Sequence, residues 1–422
     1  MSSKSSKIKK NKHPTIAKNP LPEIKSLNMF WVFFKLGLTC FGGPTAHIGF
    51  FFNMFVEQKK WLTAKEYAEI VSLCQFLPGP TSSQVGMSIG LKCGGISQAF
   101  AAWLGFTLPS MIIMIAAGYG ILIFDETSIS SVLHMLKLFA AAIVLQAVIS
   151  MAKSLTPDWT RRILSLFATF ILVISPSAFM QLFILGAGVI AGIVLNHYNV
   201  ANIEITEKRE ENYTSTPFLK RIGLFSGALF LIILLGLPVL GFIHNSLIIE
   251  IVTIFFQSGA LVFGGGHVVL PLLQSQLVPN GLISHADFMA GYGIVQAIPG
   301  PLFTFAAYLG VLLPTGWPEW ISGIFCLIII FLPAIFLVLA VIPIWDNIRD
   351  NQYIQSGLYG VNAVVVGLLL AALINPILIL SIKSWIDIAI VLILYVLLLF
   401  GKVPIWLMIL AVILSAYLWS FI

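Results

Sequence analysis

The stretch Phe33–Pro44, FFKLGLTCFGGP, decides how this chain folds, because a second version of it, FFQSGALVFGGG, occupies Phe255–Gly266. Each copy is followed by a second shared phrase, QFLPGP at Gln75–Pro80 and QAIPGP at Gln296–Pro301. The first phrase moves from position 41 to 263 and the second from 78 to 299, which are shifts of 222 and 221 residues. Two phrases that repeat in the same order at the same spacing predict two homologous halves.

The composition indicates the medium in which the chain folds. Hydrophobic residues make up 59% of the 422 residues and charged residues only 9%, against roughly 25% in soluble domains. We therefore expect a multi-pass protein of the cell (plasma or inner) membrane. The four cysteines are scattered through apolar sequence without metal-ligand spacing, so we expect them to serve as packing residues.

Glycine and proline interrupt several of the long apolar stretches. In hydrocarbon, a broken helix leaves backbone N–H and C=O groups that lipid cannot satisfy, so such breaks survive where they line a protein-walled cavity. Breaks at corresponding places in two halves are typical of secondary transporters. We expect an all-α polytopic membrane protein whose halves are inverted-topology repeats with broken or re-entrant helices. The expected breaks are at 42–44, 78–80, 175–177, 264–266, 299–301 and 401–404.

The distribution of charge predicts the topology. Lysine and arginine concentrate in the N-terminal tail and in the loops of the first half, which the positive-inside rule places in the cytoplasm. The second half is preceded by one transmembrane segment that has no copy in the first half. This additional segment would invert the orientation of the second half in the membrane, so the C-terminus is expected outside. The expected units are a basic cytoplasmic tail (1–26), an N-terminal transporter repeat (27–195), a polar linker (196–221), a connecting transmembrane helix (222–246) and a C-terminal transporter repeat (247–422).

The points where the broken helices restart form the candidate substrate site. A helix that begins after Gly-Gly-Pro or Pro-Gly-Pro presents free backbone N–H groups, and its dipole adds about half a positive charge. Four restarts that converge near the midplane would add roughly two charges, which suits a small dianion. Close helix packing or simple kinking is the alternative for a single motif. The predicted substrate-binding residues are Lys35, Gly42, Gly43, Pro44, Thr45, His47, Gln75, Pro78, Gly79, Pro80, Thr81, Ser82, Gly264, Gly265, Gly266, His267, Gln296, Pro299, Gly300 and Pro301.

Ionisable residues inside apolar segments are further candidates. Lys35 lies about 9 Å along a helix from the first break and could pair with an anion there, or its amine could snorkel to the membrane interface. The same two alternatives apply to Lys137, for which we expect a smaller role. His47 and His267 follow the glycine breaks and could carry protons, or each could be satisfied by a neighbouring carbonyl.

Other sequence signals point to structural roles or exclude classes of function. Thr63 with Glu66, and Ser284 with Asp287, are helix-capping signals, so these carboxylates are expected to be structural, with a protonatable role as the alternative. Gly264–Gly266 is not a phosphate-binding loop, because it lacks a preceding strand and a Gly-Lys-Ser/Thr signature. We find no catalytic, metal or cofactor motif, so we expect that the chain is not an enzyme. Its basic tail lacks interleaved aromatics and fits membrane lipids better than nucleic acid.

Taken together, the motifs resemble those of the long, two-domain members of the chromate ion transporter family over essentially the whole chain. Six phrases carry the resemblance: 41–48 (FGGPTAHI), 61–62 (WL), 73–84 (LCQFLPGPTSSQ), 102–110 (AWLGFTLPS), 263–273 (FGGGHVVLPLL) and 299–310 (PGPLFTFAAYLG). The chain differs at Phe52, Gln257 and Gln274, where the family usually or commonly has charged residues.

The resemblance implies a secondary transporter that exports chromate from the cytoplasm, driven by the proton-motive force, with sulfate as the competing ion. One alternative is uptake or exchange of sulfate or another small oxyanion through the same site. Another is a passive anion channel or a membrane scaffold. The implied partners are the oxyanion, protons and membrane lipids, and a homodimer is left open.

Overall fold

The structure is a computed structural model, and the residues it describes form helices without a strand among them. It describes residues 25–41, 43–123, 126–175, 178–197, 217–244, 246–262, 268–345 and 351–400, together with 407, 408, 411, 412 and 414. Several predicted features lie outside these residues: the tail to residue 24, Gly42, the side chain of Thr45, linker residues 198–216, the break at Gly264, Gly265 and Gly266 with His267, and the break at 401–404.

The first repeat begins with shorter helices that are separated by breaks and continues with longer ones. A π-helical turn at Asn53–Gln58 follows α2. The helices are α1 Ser26–Thr39, α2 Gly43–Phe52, α3 Ala64–Phe76, α4 Thr81–Gly94, α5 Ile96–Ile123, α6 Glu126–Leu155, α7 Trp159–Ile174 and α8 Ala178–His197.

The second repeat has the same order of elements after one additional helix, α9. A 3-10 turn at Leu302–Thr304 precedes α13, another at Ile342–Ile344 follows α14, and a π-helical turn at Leu373–Leu378 follows α15. The helices are α9 Pro217–Ile243, α10 Leu247–Ala260, α11 Val269–Leu277, α12 His285–Ala297, α13 Phe305–Leu312, α14 Glu319–Val341, α15 Gln352–Ala372 and α16 Trp385–Phe400.

The duplication predicted from the motifs is confirmed by this order. Shifted by about 222 residues, α1 falls on α10, α3 on α12, α5 on α14 and α7 on α16. Helices end before and restart after the predicted breaks at 78–80, 175–177 and 299–301, while α2 already begins at Gly43, within the predicted break at 42–44. The additional helix α9 begins at Pro217, inside the predicted linker, because proline is well accommodated in the first turn of a helix.

Five of the described helices are long and apolar enough to cross a membrane. They have exposed faces that carry large apolar side chains, such as Ile112, Leu224 and Phe242. A surface of this kind suits a lipid environment, so the chain is a multi-pass membrane protein. The five segments are Ile96–Ile123, His134–Lys153, Pro217–Ile243, Glu319–Ile344 and Gln352–Asn375.

Matching caps begin the third helix of each repeat, as the sequence predicts. The Thr63 hydroxyl accepts a hydrogen bond from the Glu66 N–H, and the Glu66 carboxylate accepts one from the Thr63 N–H at 2.9 Å. The Ser284 hydroxyl likewise accepts from the Asp287 N–H at 3.0 Å. Each cap satisfies N–H groups that would otherwise lack partners, so both predicted caps are confirmed.

The two repeats are interlaced. Helix α7 of the first repeat packs on α15, and α16 of the second packs on α6, while α12 and α13 pack on α6 and α5. Glycines allow the closest contacts within each repeat. A Cβ atom at Gly37 of α1 would lie 2.6 Å from the Phe106 carbonyl oxygen of α5, and one at Gly259 of α10 would lie 2.1 Å from that of Ile330 in α14. The interlacing brings the breaks of both halves together.

Candidate functional site at the helix breaks

Two reciprocal backbone hydrogen bonds join the breaks of the two repeats. The Gly79 N–H of the first Pro-Gly-Pro phrase donates to the Val262 carbonyl oxygen at 2.6 Å (N···O). The Gly300 N–H of the second phrase donates to the Cys40 carbonyl oxygen at 3.0 Å. Cys40 and Val262 occupy equivalent places in the repeats, just after α1 and α10. We call this set of four residues the crossing. Its reciprocity is what a two-fold relation between the halves produces.

Both glycines of the crossing are required by their backbone conformation and by their neighbours. Gly79 has a φ angle of +123° and Gly300 one of +103°, where side chains are strained. A Cβ atom at Gly79 would lie 2.8 Å from Gln84 Nε2 and 3.4 Å from the Ala334 side chain; one at Gly300 would lie 2.6 Å from Ser110 Oγ. Ala334 and Ser110 each follow the internal proline of α14 and α5. The restart of each repeat thus packs against the middle of the other repeat's long helix.

The start of α4 is buried and has no side-chain cap. Pro80 occupies the N-cap position, and the N–H of Gln84 is the first to bond back to the Pro80 carbonyl oxygen. Thr81, Ser82 and Ser83 are all buried in this first turn, and Ser83 is only 1% exposed. The Ser83 hydroxyl finds no hydrogen-bond partner among the described residues. A buried helix start with unused donors can receive an anion.

At the corresponding helix start in the second repeat, more of the hydrogen-bonding groups have partners within the same turn. Pro301 is buried, and its carbonyl oxygen accepts hydrogen bonds from both the N–H and the hydroxyl of Thr304, at 3.0 and 2.8 Å. Pro299 is also buried, and Gln296 is half-buried with its side chain beside Tyr292. The first repeat therefore supplies the richer set of available donors.

His47 is buried beside the crossing. Its Nε2 lies 3.2 Å from the Cys40 carbonyl oxygen, the same atom that accepts from Gly300, and its ring packs edge-on against Phe106. The alternative in which a neighbouring carbonyl satisfies this histidine is therefore confirmed for one ring nitrogen. The other, Nδ1, is buried without a hydrogen-bond partner in the described part of the chain.

The remaining predicted residues differ in their burial and in their hydrogen bonds. Gly43 begins α2 with a φ angle of +78°, and Pro44 beside it is half-buried. The Pro78 carbonyl oxygen accepts a hydrogen bond from Gln84 Nε2 at 2.7 Å. Gln75 is exposed on α3. Lys35 is exposed on α1, which fits the snorkelling alternative better than a buried ion pair.

Sequence analysis missed several buried polar groups in the long helices. Trp103 Nε1, Thr107 Oγ1 and Ser258 Oγ are buried and lack hydrogen-bond partners among the described residues. All three can donate a hydrogen bond; α5 packs on α1 and α4, and α10 ends two residues before Val262 of the crossing. The available signal was the i, i+4 spacing of Trp103 and Thr107, which places both on one face of an apolar helix.

These groups define what the site can do chemically. Hydroxyl, indole and backbone N–H donors in a low-dielectric interior favour an anion or water. No group of three or more His, Cys, Asp or Glu side chains that could hold a metal ion occurs in the part of the chain that the structure describes.

Comparison with known proteins places the chain among transporters. The sequence profile described as chromate transporter matches residues 27–193 and 249–417, one match for each repeat. An uncharacterized transporter of Methanocaldococcus jannaschii is 28% identical over 377 residues, covering 87% of this chain and 88% of the relative. No solved structure matches this chain.

Two relatives named as chromate transport proteins match over similar lengths. A probable chromate transport protein of Synechococcus elongatus is 24% identical and covers 84% of this chain and 85% of its own. A chromate transport protein of Cupriavidus metallidurans is 25% identical, with 87% and 85% covered. Because the family profile matches both repeats, and the repeated breaks meet in space, this chain belongs to the chromate transporter family.

Proposed function

We propose that the protein is a secondary transporter that exports chromate from the cytoplasm, driven by the proton-motive force. The observation that carries this proposal is the start of α4, a buried, uncapped helix N-terminus with the unpartnered Ser83 hydroxyl, next to a crossing built from both repeats. As a transporter of this kind it would carry out no catalysis. Family membership supports the chromate substrate.

The donors around the crossing suit a tetrahedral oxyanion. The first turn of α4 offers N–H groups and hydroxyls, and the α4 dipole adds about half a positive charge there. Trp103 and Thr107 add further unused donors on α5, which packs on α4. Such a site recognises the oxygen shell rather than the central atom, so it supports chromate and leaves sulfate as a competitor.

A transport cycle is supported by the way the halves meet. The crossing depends on one hydrogen bond in each direction between the repeats, so a rocking motion of one repeat against the other would open it on one side. A passive channel would need a continuous opening instead. We propose alternating access around the crossing, with the inverted orientation of the repeats that the charge distribution predicts.

The membrane potential favours export of an anion. Moving one elementary charge through 100 mV is worth about 2.3 kcal/mol. A dianion that leaves an inside-negative cell therefore gains roughly 4.6 kcal/mol per 100 mV, which supports a concentration ratio on the order of a thousandfold. Uptake or exchange of sulfate through the same site is the second candidate, because donors that read only oxygen atoms accept both ions.

Everted membrane vesicles test the proposal directly, because export from the cytoplasm becomes accumulation inside them. We expect labelled chromate to accumulate when the vesicles are energised and to be lost when a protonophore is added. Accumulation of sulfate without chromate would favour the second candidate, and equilibration that ignores the gradient would indicate a channel.

A pair of serine variants ties the flux to the site. Ser83→Ala removes the unpartnered hydroxyl and should slow chromate flux by roughly tenfold or more, the size of one charge-assisted hydrogen bond. Ser97→Ala, at an exposed serine near the start of α5, is the matched control. Equal flux in the two variants at equal membrane abundance would remove the start of α4 from the substrate path.

A further inference from the structure

A polar cavity lies apart from the crossing. It has a volume of about 230 Å³ and is bounded by α7, α8, α11, α12 and the end of α15. We call it the chamber. Its polar lining consists of Gln181, Gln274, Ser275, His285 and Asn375. Because one water occupies about 30 Å³ of liquid, the chamber has room for a small ion with part of its hydration shell.

The chamber contains a pair of side chains whose hydrogen bonding is incomplete. Gln274 is only 3% exposed, and its Nε2 lies 3.2 Å from Nδ1 of His285. Gln274 Oε1 and His285 Nε2 are both buried, and neither has a hydrogen-bond partner among the described residues. Buried polar atoms of this kind normally have a partner, which can be a bound ligand or water.

The geometry of this pair determines which hydrogen-bond donor and acceptor remain unused. An amide nitrogen only donates, so His285 Nδ1 must accept and the ring is neutral with its proton on Nε2. The pair then leaves one donor, His285 Nε2–H, and one acceptor, Gln274 Oε1, without a partner among the described residues, on two side chains that line the chamber. If the amide is turned over, the two residues exchange roles, but one donor and one acceptor remain.

The charges around the pair are limited. Lys137 of α6 lies close enough for its positive charge to act on the His285 ring. Asp287, in the first turn of α12, is engaged in the cap and accepts a hydrogen bond from the Ser284 hydroxyl at 2.6 Å. The polar residues that line the chamber are otherwise uncharged amides and a serine, with Ser275 donating to Gln181 at 3.2 Å. A single negative charge is the best match for this setting.

We propose that the chamber binds a protonated, singly charged oxyanion, such as hydrogen chromate or dihydrogen phosphate, and discriminates against sulfate. The hydroxyl of such an ion donates to Gln274 Oε1, while one of its oxygens accepts from His285 Nε2–H. A fully deprotonated dianion has only acceptors, so it would leave Gln274 Oε1 facing another oxygen. The inference rests on the proposed function only for the identity of the ion.

The chamber lies on the two helices between the second pair of breaks. Gln274 is on α11, which follows the predicted break at 264–266, and His285 begins α12, which leads to Pro299 and Gly300. A protonated oxyanion held there would be positioned to enter or leave the crossing when α11 and α12 move. Chromate and phosphate exchange a proton near neutral pH, whereas sulfate does not, so the chamber would select by protonation.

Equilibrium binding to the purified full-length protein in detergent tests this without requiring transport. The probe is radiolabelled chromate, measured from the acidic to the alkaline side of its protonation equilibrium, with phosphate and sulfate as competitors. Gln274→Met keeps the side-chain volume but removes both polar atoms. Gln276→Met is the matched control, because this neighbouring glutamine lies on α11 outside the chamber and bonds to the Leu272 carbonyl oxygen.

We expect Gln274→Met to bind chromate roughly ten- to a hundredfold more weakly than Gln276→Met. The binding lost with Gln274 should strengthen toward acidic pH and should be displaced by phosphate but not by sulfate. Equal binding in both variants, as for a chamber that holds only water, would overturn the proposal. In the wild-type protein, chromate binding that shows no acid-favoured component would overturn it without any variant. Binding of the purified protein as expected, together with vesicles that move no chromate, would instead refute the proposed function and leave the chamber proposal standing.

Discussion

The substitution Gly300→Ala should disrupt the crossing more than any other small change. A methyl group at this position is strained by the φ angle of +103° and would lie 2.6 Å from Ser110 Oγ. The strain costs about 1–2 kcal/mol. Moving the Ser110 hydroxyl breaks its hydrogen bond to the Thr107 carbonyl oxygen, now 3.1 Å long, which costs about 1 kcal/mol more. We expect a total loss of roughly 2–3 kcal/mol, with the Gly300 hydrogen bond to Cys40 weakened.

Gly316→Ala is the matched control, because Gly316 has a φ angle of +76° but no atom within 4 Å of an added Cβ. It should show the strain alone. Thermal unfolding in detergent and chromate flux in vesicles, both at equal protein abundance, would compare the two. The double variant Gly300→Ala/Ser110→Ala should recover part of the loss, because the hydroxyl is gone. If Gly300→Ala is no worse than Gly316→Ala in stability and flux, the close contact at the crossing does not exist.

Three further expectations follow from other parts of the structure. Lys137→Gln should lower chromate binding, because the positive charge of Lys137 acts on the His285 ring of the chamber. Lys35→Gln should leave chromate binding unchanged, because Lys35 is exposed. A larger loss of binding in Lys35→Gln than in Lys137→Gln would restore Lys35 to the site. Reporter fusions at Lys208 and after Ile422 should report opposite sides of the membrane, and finding both on one side would refute inverted repeats. Partial burial raises the pKa of Asp158, but hydrogen bonds from Arg161 and Tyr359 outweigh it and hold that pKa below its ordinary value. This stabilisation is present above the ordinary pKa and is lost as the pH falls through the lowered one, so Asp158→Asn should unfold less steeply with acid than wild type; identical acid profiles would show that the carboxylate contributes nothing.

The sequence by itself determined the features that depend on a residue and its near neighbours. Helices stop at Thr39, Phe76 and Ala297 because the glycines and prolines that follow change the local backbone. The caps at Thr63 and Ser284 could be predicted because a cap needs only residues three positions apart. The duplication was visible because the same local phrases recur at a constant shift.

Only the tertiary structure decided which breaks meet and which polar groups stay unused. Gly79 forms a hydrogen bond with Val262, and Gln274 with His285, because of helix packing that no local sequence pattern specifies. Apolar patterning gives little help in a membrane, because lipid and protein interior favour the same side chains: Phe242 is 92% exposed and Phe255 is fully buried. Partners that are distant in the sequence therefore become known only when the helices are placed in space.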